Sequence, residues 1–139
     1  MKAKNHMSRE VISIPPWESL GKAKALMRSG NFRHLPVVDE GKLVGILSDS
    51  DIRCHGHLDA TIDQAMTPNP LTIESTVTLE QAARLMLERK VNALPVLANK
   101  RLVGIISTSD IVAAFLAAAK SNEIAELLRR PIGHGHMDF

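Results

Sequence analysis

The sequence is poor in residues on which several functions depend: it has one cysteine, Cys54, no tyrosine and 3% aromatic residues. A single thiol excludes an internal disulfide framework and a zinc site built from several cysteines. Few aromatic rings leave little for bases to stack on, which argues against single-stranded nucleic acid as a partner. The net charge of +2 is too small to indicate nucleic acid or an anionic membrane as the main partner.

Long apolar runs are also missing. The longest, Ile111–Ala119, has nine residues, against the roughly 20 that span a bilayer. The basic start, Met1–Met7, is not followed by an apolar stretch, so it is not a secretory signal. We therefore expect a cytoplasmic protein with no membrane partner. With 45% hydrophobic and 23% charged residues among 139, the composition is that of a globular protein.

The sequence contains an internal repeat. Residues 7–52 align with residues 66–111 without a gap at a shift of 59 positions, with 17 identities in 46 pairs. The identities cluster in runs, such as Leu43–Ile46 over Leu102–Ile105. This clustering indicates a duplication. Since about 50 residues bury too little surface to be stable alone, the two copies are expected to share a core.

Each copy predicts the element order β-α-β-β-α. Short β-branched runs predict strands, helical spacing of apolar residues predicts helices, and Gly- or Asn-containing connections predict hairpins. The predicted strands are Val11–Ile14, Leu35–Val38 and Leu43–Leu47, then Leu71–Ile73, Leu94–Leu97 and Leu102–Ile106. The expected helix starts are Ser19 or Glu18, Ser48, Thr78 and Ser107.

The repeat divides the chain into three regions. Residues 1–60 are the first repeat with an N-terminal extension and a linker, residues 61–120 are the second repeat, and residues 121–139 are a C-terminal helix and tail. The linker is expected to contain a short helical turn near Ile62–Ala65.

These repeated stretches resemble the cystathionine β-synthase (CBS) domain, and two of them in tandem resemble the Bateman module. The resemblance covers roughly residues 7–119 and rests on Arg33–Asp39 with Leu43–Ile52, repeated as Leu94–Val96 with Leu102–Ile111. It implies an α/β (α+β) fold class with two β-α-β-β-α CBS repeats packed by pseudo-twofold symmetry. Two clefts are then expected between the repeats.

The resemblance also implies a function. Family members commonly bind adenosine-containing ligands such as AMP, ADP, ATP or S-adenosylmethionine in these clefts and regulate another protein. We therefore expect a regulatory homodimer that takes part in signal transduction and is not an enzyme, with an adenosine-type ligand, no resident cofactor and an unnamed protein partner. The sequence agrees in lacking a G-x-S-x-G elbow, a G-x-x-x-x-G-K-[ST] loop and an H-E-x-x-H motif.

Two Ser-x-x-Asp turns, Ser48 to Asp51 and Ser107 to Asp110, carry the candidate binding chemistry. A carboxylate can accept hydrogen bonds from both hydroxyls of a ribose, and the free amides of a helix start can bind phosphate. The pattern is also that of a helix capping box, which is the favoured interpretation on pattern alone. The resemblance favours the ligand instead, and both roles can coexist at one turn.

Arg33 and His34 precede the second strand of the first repeat. A guanidinium suits phosphate, although a solvated surface arginine is an equal alternative. Because adjacent strand residues point to opposite faces, we do not expect both side chains to line one cleft. The second repeat has Asn92 and Ala93 here, so the two clefts are predicted to be unequal. The Asp110 cleft would hold phosphate weakly if each cleft used its own basic pair.

Apolar residues near the first strand and before the repeated proline are candidates to sandwich an adenine, with core packing as the alternative for each. The predicted ligand-binding residues are Ile12, Ser13, Arg33, His34, Leu35, Ser48, Asp51, Leu71, Thr72, Asn92, Ala93, Leu94, Ser107 and Asp110.

Two other interpretations remain. In a ligand-free dimerisation or protein-interaction module, the Ser-x-x-Asp turns are only caps. The contact surface is then a tail helix over Asn122–Arg130 with Ile124, Leu127 and Leu128 on one side. A metal-responsive protein would use His55–His57 and His134–His136, but neither pair has a third ligand at familiar spacing, so no metal is expected.

Overall fold

The computed structural model describes residues 1–9 and 11–119. Its helices are α1 (Leu20–Gly30), α2 (Asp49–His55), α3 (Leu79–Arg89) and α4 (Thr108–Ala118), with short 3-10 turns at Ala3–Asn5 and Ile62–Gln64. Its strands are β1 (His34–Asp39), β2 (Lys42–Ser48), β3 (Thr67–Pro68), β4 (Ile73–Glu74), β5 (Ala93–Ala98) and β6 (Arg101–Ser107). This mixed α+β arrangement confirms the predicted fold class, and the turn at Ile62–Gln64 is where the linker turn was expected.

The strands form two three-stranded sheets, in the orders β1-β2-β3 and β4-β5-β6. In each sheet the long strands form an antiparallel hairpin, with His34 opposite Ser48 in one and Ala93 opposite Ser107 in the other. The two registers coincide after the shift of 59 positions, and β2 contacts β6. The two repeats therefore fold alike and meet through their sheets, as the duplication predicts.

Side-chain caps and left-handed residues set the ends of the first helix of each repeat. Ser19 and Thr78 accept hydrogen bonds from backbone N–H groups three residues later and cap α1 and α3. The two helices end at Asn31 and Lys90, whose φ angles are 56° and 57°. Asparagine tolerates this conformation well. Ser19 and Thr78 were among the predicted helix starts.

The apolar side chains form two separate, equivalent cores. The expectation of one core shared by both copies is wrong, because each copy completes its own core with a leading segment of the other. The first contains Ile14, Leu20, Ala23, Met27, Leu35, Val37, Leu47, Ile52 and Ile62, and the second contains Ala3, Ile73, Leu79, Ala82, Met86, Leu94, Val96, Ile106 and Ala114. Most members correspond after the shift of 59 positions. The hydrophobic periodicity therefore identified the buried faces of both helices and hairpins.

The two repeats exchange their leading segments. Ala3 lies in the second core, and its N–H donates to Val77 O at 2.9 Å, while Ser8 and Ile105 exchange two backbone hydrogen bonds of 2.9 and 3.2 Å. By the same symmetry, Ile62 lies in the first core and β3 pairs with β2. Each repeat is thus completed by chain that precedes the other one.

The first predicted strand of each repeat is shorter than expected. Val11–Ile14 contributes only a parallel bridge between Ile14 and Val37, and Leu71–Ile73 contributes only Ile73 to β4. In the first repeat, Pro15 and Pro16 follow and have no N–H with which to continue a ladder. The predicted tail helix, Asn122–Arg130, lies outside the described residues. Each helix in residues 1–9 and 11–119 falls short of the length and hydrophobicity that a bilayer span requires.

Candidate ligand-binding clefts

Two clefts lie between the repeats, and we call them the large and the small cleft. The large cleft has a volume of about 620 Å³ and is lined by Ser8, Val11, Ile12, Asn31, Phe32, Arg33, His34, Pro36, Asn92, Ile105, Ser107, Thr108, Ser109 and Asp110. The small cleft has a volume of about 270 Å³ and is lined by His34, Ile46, Ser48, Ser50, Asp51, Thr67, Pro70, Leu71, Val91, Asn92 and Ala93. Ligand sites usually measure about 300–1,000 Å³, so the volume of the large cleft falls within this range and that of the small cleft lies just below it.

Each cleft takes its aspartate from one repeat and its facing wall from the other. Asp110 of α4 lines the large cleft with Phe32 and Arg33 of the first repeat. Asp51 of α2 lines the small cleft with Val91 of the second repeat. A ligand in either cleft therefore touches both repeats at once.

The capping interpretation of the two Ser-x-x-Asp turns is realised in the structure. The Ser107 N–H donates to Asp110 Oδ2 at 2.8 Å, and the Asp110 N–H donates back to Ser107 Oγ at 3.3 Å. The corresponding distances at Ser48 and Asp51 are 2.8 and 3.0 Å. Both pairs are capping boxes that start α4 and α2.

Capping leaves binding capacity unused at these turns. Among the described residues, every hydrogen bond to the carboxylates of Asp51 and Asp110 is accepted by Oδ2, so Oδ1 of each carboxylate has no partner there. Because the cap fixes the carboxylate, Oδ1 is oriented without a further loss of side-chain freedom. One aspartate can therefore cap its helix and accept a hydrogen bond from a ligand.

Backbone hydrogen bonds hold the residues before β1 and β5 against the helix starts. The Asp49 N–H donates to Arg33 O at 2.9 Å, and the Thr108 N–H donates to Asn92 O at 3.0 Å. Arg33 is exposed at the rim of the large cleft and takes part in none of the ion pairs formed by the described residues. Its guanidinium is therefore available to an anionic ligand.

His34 lies in the wall that the two clefts share, together with Asn92. Burial lowers the pKa of the His34 imidazole; the Asp51 carboxylate acts in the opposite direction, and the Arg33 guanidinium lowers the pKa further. Since the ordinary pKa of histidine is already below 7, this imidazole is mainly neutral at neutral pH.

The prediction that Arg33 and His34 do not both line one cleft is wrong. Both line the large cleft, and His34 also reaches the small one. β1 begins at His34, so Arg33 precedes the strand and the alternation of strand side chains does not govern it. The basic pair of the first repeat therefore lines the Asp110 cleft. Weak phosphate binding in that cleft was expected only if each cleft used the basic pair of its own repeat, so the condition for this expectation is not met.

Most of the predicted binding residues line a cleft. Those in the large cleft are Ile12, Arg33, His34, Asn92, Ser107 and Asp110, and those in the small cleft are His34, Ser48, Asp51, Leu71, Asn92 and Ala93. Leu35 and Leu94 were predicted to bind ligand, but both are fully buried in the two cores and line neither cleft. Ser13 and Thr72 also line neither cleft.

Phe32 is the main wall residue that the sequence prediction omitted. It lines the large cleft directly beside Arg33, and Val91 takes its place in the small cleft. Its position immediately before the Arg-His-Leu-Pro stretch was the available signal. The large cleft thus combines an aromatic ring and a permanent cation, whereas the small cleft has Val91 and Asn92 at the equivalent positions. The clefts differ in lining and volume, as predicted.

His55 and His57 belong to no recognisable metal centre among the described residues. The rings of His55 and His57 meet edge to face with centroids 5.6 Å apart, and Cys54 beside them is exposed. Within residues 1–9 and 11–119, no group of three or more His, Cys, Asp or Glu side chains is arranged to hold a metal. The second pair, His134–His136, lies outside the described residues.

Two clefts, each lined by residues of both duplicated repeats, lie at the interface inside this chain. The CBS domain family model matches residues 3–55 and 61–117, and the chain belongs to the CBS domain family as a tandem pair.

Solved CBS pairs share this fold. The CBS domain pair of protein MJ0100, in complex with 5′-methylthioadenosine and S-adenosyl-L-methionine, is 31% identical with a TM-score of 0.79, covering 84% of this chain and 97% of that one. CBSX2 in complex with AMP is 29% identical with a TM-score of 0.76, covering 86% and 98%.

A curated relative is much longer than the matched region. The inosine-5′-monophosphate dehydrogenase of Korarchaeum cryptofilum is 30% identical over 111 residues, which is 79% of this chain but 23% of the enzyme. The present chain therefore matches about a quarter of that enzyme, and the likeness carries no catalytic role to it.

Proposed function

We propose that this chain is a cytoplasmic regulatory module that binds an adenosine-containing ligand in the large cleft and transmits the bound state to a separate protein. The observation that carries the proposal is that Asp110 of one repeat and Arg33 of the other line the same cleft, with Oδ1 of Asp110 free of protein partners among the described residues. It acts without catalysis or a resident cofactor.

The lining of the large cleft suits each part of such a ligand. Asp110 can accept hydrogen bonds from a ribose, and the Arg33 guanidinium can bind a phosphate. Phe32 and Ile12 offer apolar surface for a purine ring. The solved relatives in complex with AMP and with adenosyl ligands support this ligand class.

The proposed mechanism of signalling is differential binding. A ligand in the large cleft contacts both repeats, so it stabilises arrangements in which the two walls are held together. A protein partner that prefers this arrangement then binds more tightly, and by linkage the partner strengthens ligand binding by the same factor.

Thermal melting tests the proposal. We expect one or more of AMP, ADP, ATP, S-adenosylmethionine and NADH to raise Tm, because a ligand at 100 times its Kd adds about 2.7 kcal/mol of stability. Asp110→Asn should abolish the rise while retaining the cap. Ser107 still caps α4, and the asparagine amide oxygen can still accept from the Ser107 N–H, but an amide nitrogen replaces the carboxylate oxygen that would accept from the ribose.

Asp51→Asn is the matched control, because it makes the same change at the equivalent turn of the small cleft. A normal Tm rise in Asp110→Asn, or no rise for any ligand in the parent chain, contradicts the proposal.

A second candidate function is a homodimerisation or protein-interaction module. α4 carries Val112, Phe115 and Leu116 on one face at i, i+3 and i+4 spacing, and each is more than half exposed. This surface favours α4 as a contact element, in addition to the tail helix that the sequence predicts. Light scattering should show that Phe115→Glu reduces a dimer to monomers, whereas Leu87→Glu on α3, which is 80% exposed, does not.

A further inference from the structure

The two clefts differ in the charged residues that line them. The large cleft is lined by Arg33, His34 and Asp110, and its guanidinium is positive at every working pH. The small cleft is lined by Asp51, and His34 is the only one of its described lining residues that can carry a positive charge. The uncharged Asn92 occupies the position equivalent to Arg33.

His34 is placed to affect both clefts. Its Cα lies opposite that of Ser48, the residue that caps α2 and fixes Asp51. The imidazole reaches the small cleft from the wall shared with the large one. A change in the charge of His34 therefore alters the electrostatic potential in both clefts.

We propose that His34 sets the ligand class of the small cleft: a neutral imidazole leaves a site for an uncharged adenosyl group, and a protonated imidazole admits a phosphate-bearing ligand. This inference rests on the proposed function, because it assumes that the clefts are adenosine sites.

The charged groups around His34 determine the sign of the effect. Asp51 of α2 favours the imidazolium, while burial and Arg33 disfavour it, and Asp110 of α4 faces the other side of the large cleft. A phosphate entering the small cleft adds negative charge and draws a proton onto His34. Occupancy of the small cleft by a phosphate-bearing ligand therefore rises as the pH falls, whereas Arg33 supports the large cleft at any pH.

Calorimetric titration with AMP tests the proposal through stoichiometry. We expect one AMP per chain at about pH 8 and a second, weaker AMP at about pH 5.5, which is on the acid side of the ordinary histidine pKa and where the phosphate helps to draw a proton onto His34. Adenosine is the probe without phosphate, and its stoichiometry should not change between these two conditions.

Variants at His34 separate its charge from its shape. His34→Gln should bind one AMP at both pH values, and His34→Arg should bind two at both, because its charge is permanent. His57→Gln, at an exposed histidine outside both clefts, should behave as the parent chain.

Three results would overturn the inference. A second AMP at about pH 8 in the parent chain, a second AMP at about pH 5.5 in His34→Gln, or the same pH effect with adenosine would each contradict the role of His34. Those results leave the proposed function intact. The absence of binding by both AMP and adenosine at either pH would instead remove the proposed function and this inference with it.

Discussion

At the scale of single residues, the two aspartates show how one side chain serves structure and binding. Oδ2 of Asp110 closes the cap of α4 at 2.8 Å, and Oδ1 faces no partner among the described residues. Capping and ligand binding are thus not competing interpretations of Ser-x-x-Asp. Sequence reasoning found both roles but could not choose between them, because both require the same residues at the same spacing.

Arg33 provides the sharpest test at this scale. We expect Arg33→Gln to weaken AMP binding about tenfold to a hundredfold, since a hydrogen bond to a charged group contributes roughly 1.5–3 kcal/mol. Adenosine, which has no phosphate, should bind as before. Titration calorimetry measures both affinities.

Arg53→Gln is the matched control, since this arginine lies on α2 with a side chain 71% exposed and lines neither cleft. An equal loss of adenosine and AMP binding in Arg33→Gln would show that the guanidinium acts on the fold and not on the phosphate.

At the scale of secondary-structure elements, most of the fold was predictable. Both hairpins follow from alternating β-branched runs, and the helix starts at Ser19 and Thr78 follow from capping residues ahead of a helical period. The bridge at Ile14 stays single because Pro15 and Pro16 follow it. The short strand β3 was not predictable, because it pairs with β2 of the neighbouring repeat. Local patterns carry no information about such distant partners.

Gly104 of β6 lies directly against the N-terminal segment at Met7 and Ser8. A Cβ at this position would lie 2.9 Å from the Ser8 carbonyl oxygen and closer still to the Met7 side chain. We expect Gly104→Ala to lower the free energy of unfolding by about 1–3 kcal/mol, the usual cost of overpacking. Urea denaturation checks this value.

Arg101→Ala, at an exposed position of the same strand, is the control and should stay within about 0.5 kcal/mol of the parent chain. Equal stability of Gly104→Ala and Arg101→Ala would mean that the N-terminal segment does not pack against β6.

At the scale of the whole molecule, the exchange of leading segments ties the two repeats together. Ser8 and Ile12, near the start of the first repeat, line the large cleft beside Asp110 of the second. The resemblance to CBS pairs implied two clefts, but it could not show which repeat supplies which wall. This is why the assignment of Arg33 to the Asp110 cleft required the structure.

Ala3 tests this exchange. It is fully buried in the core of the second repeat, so we expect Ala3→Asp to destabilise the protein by several kcal/mol through an unpaired buried charge. Lys4→Asp in the same 3-10 turn is exposed and should have little effect. Thermal unfolding of both variants makes the comparison, and equal Tm values would contradict the exchange.

The most direct test of the adenosine site is a crystal structure of the chain grown with AMP at about pH 8. The ribose should lie within hydrogen-bonding distance of Asp110 Oδ1, and the phosphate should lie between Arg33 and the start of α4. A large cleft that stays empty at saturating AMP, or a nucleotide bound outside both clefts, would contradict the site described above.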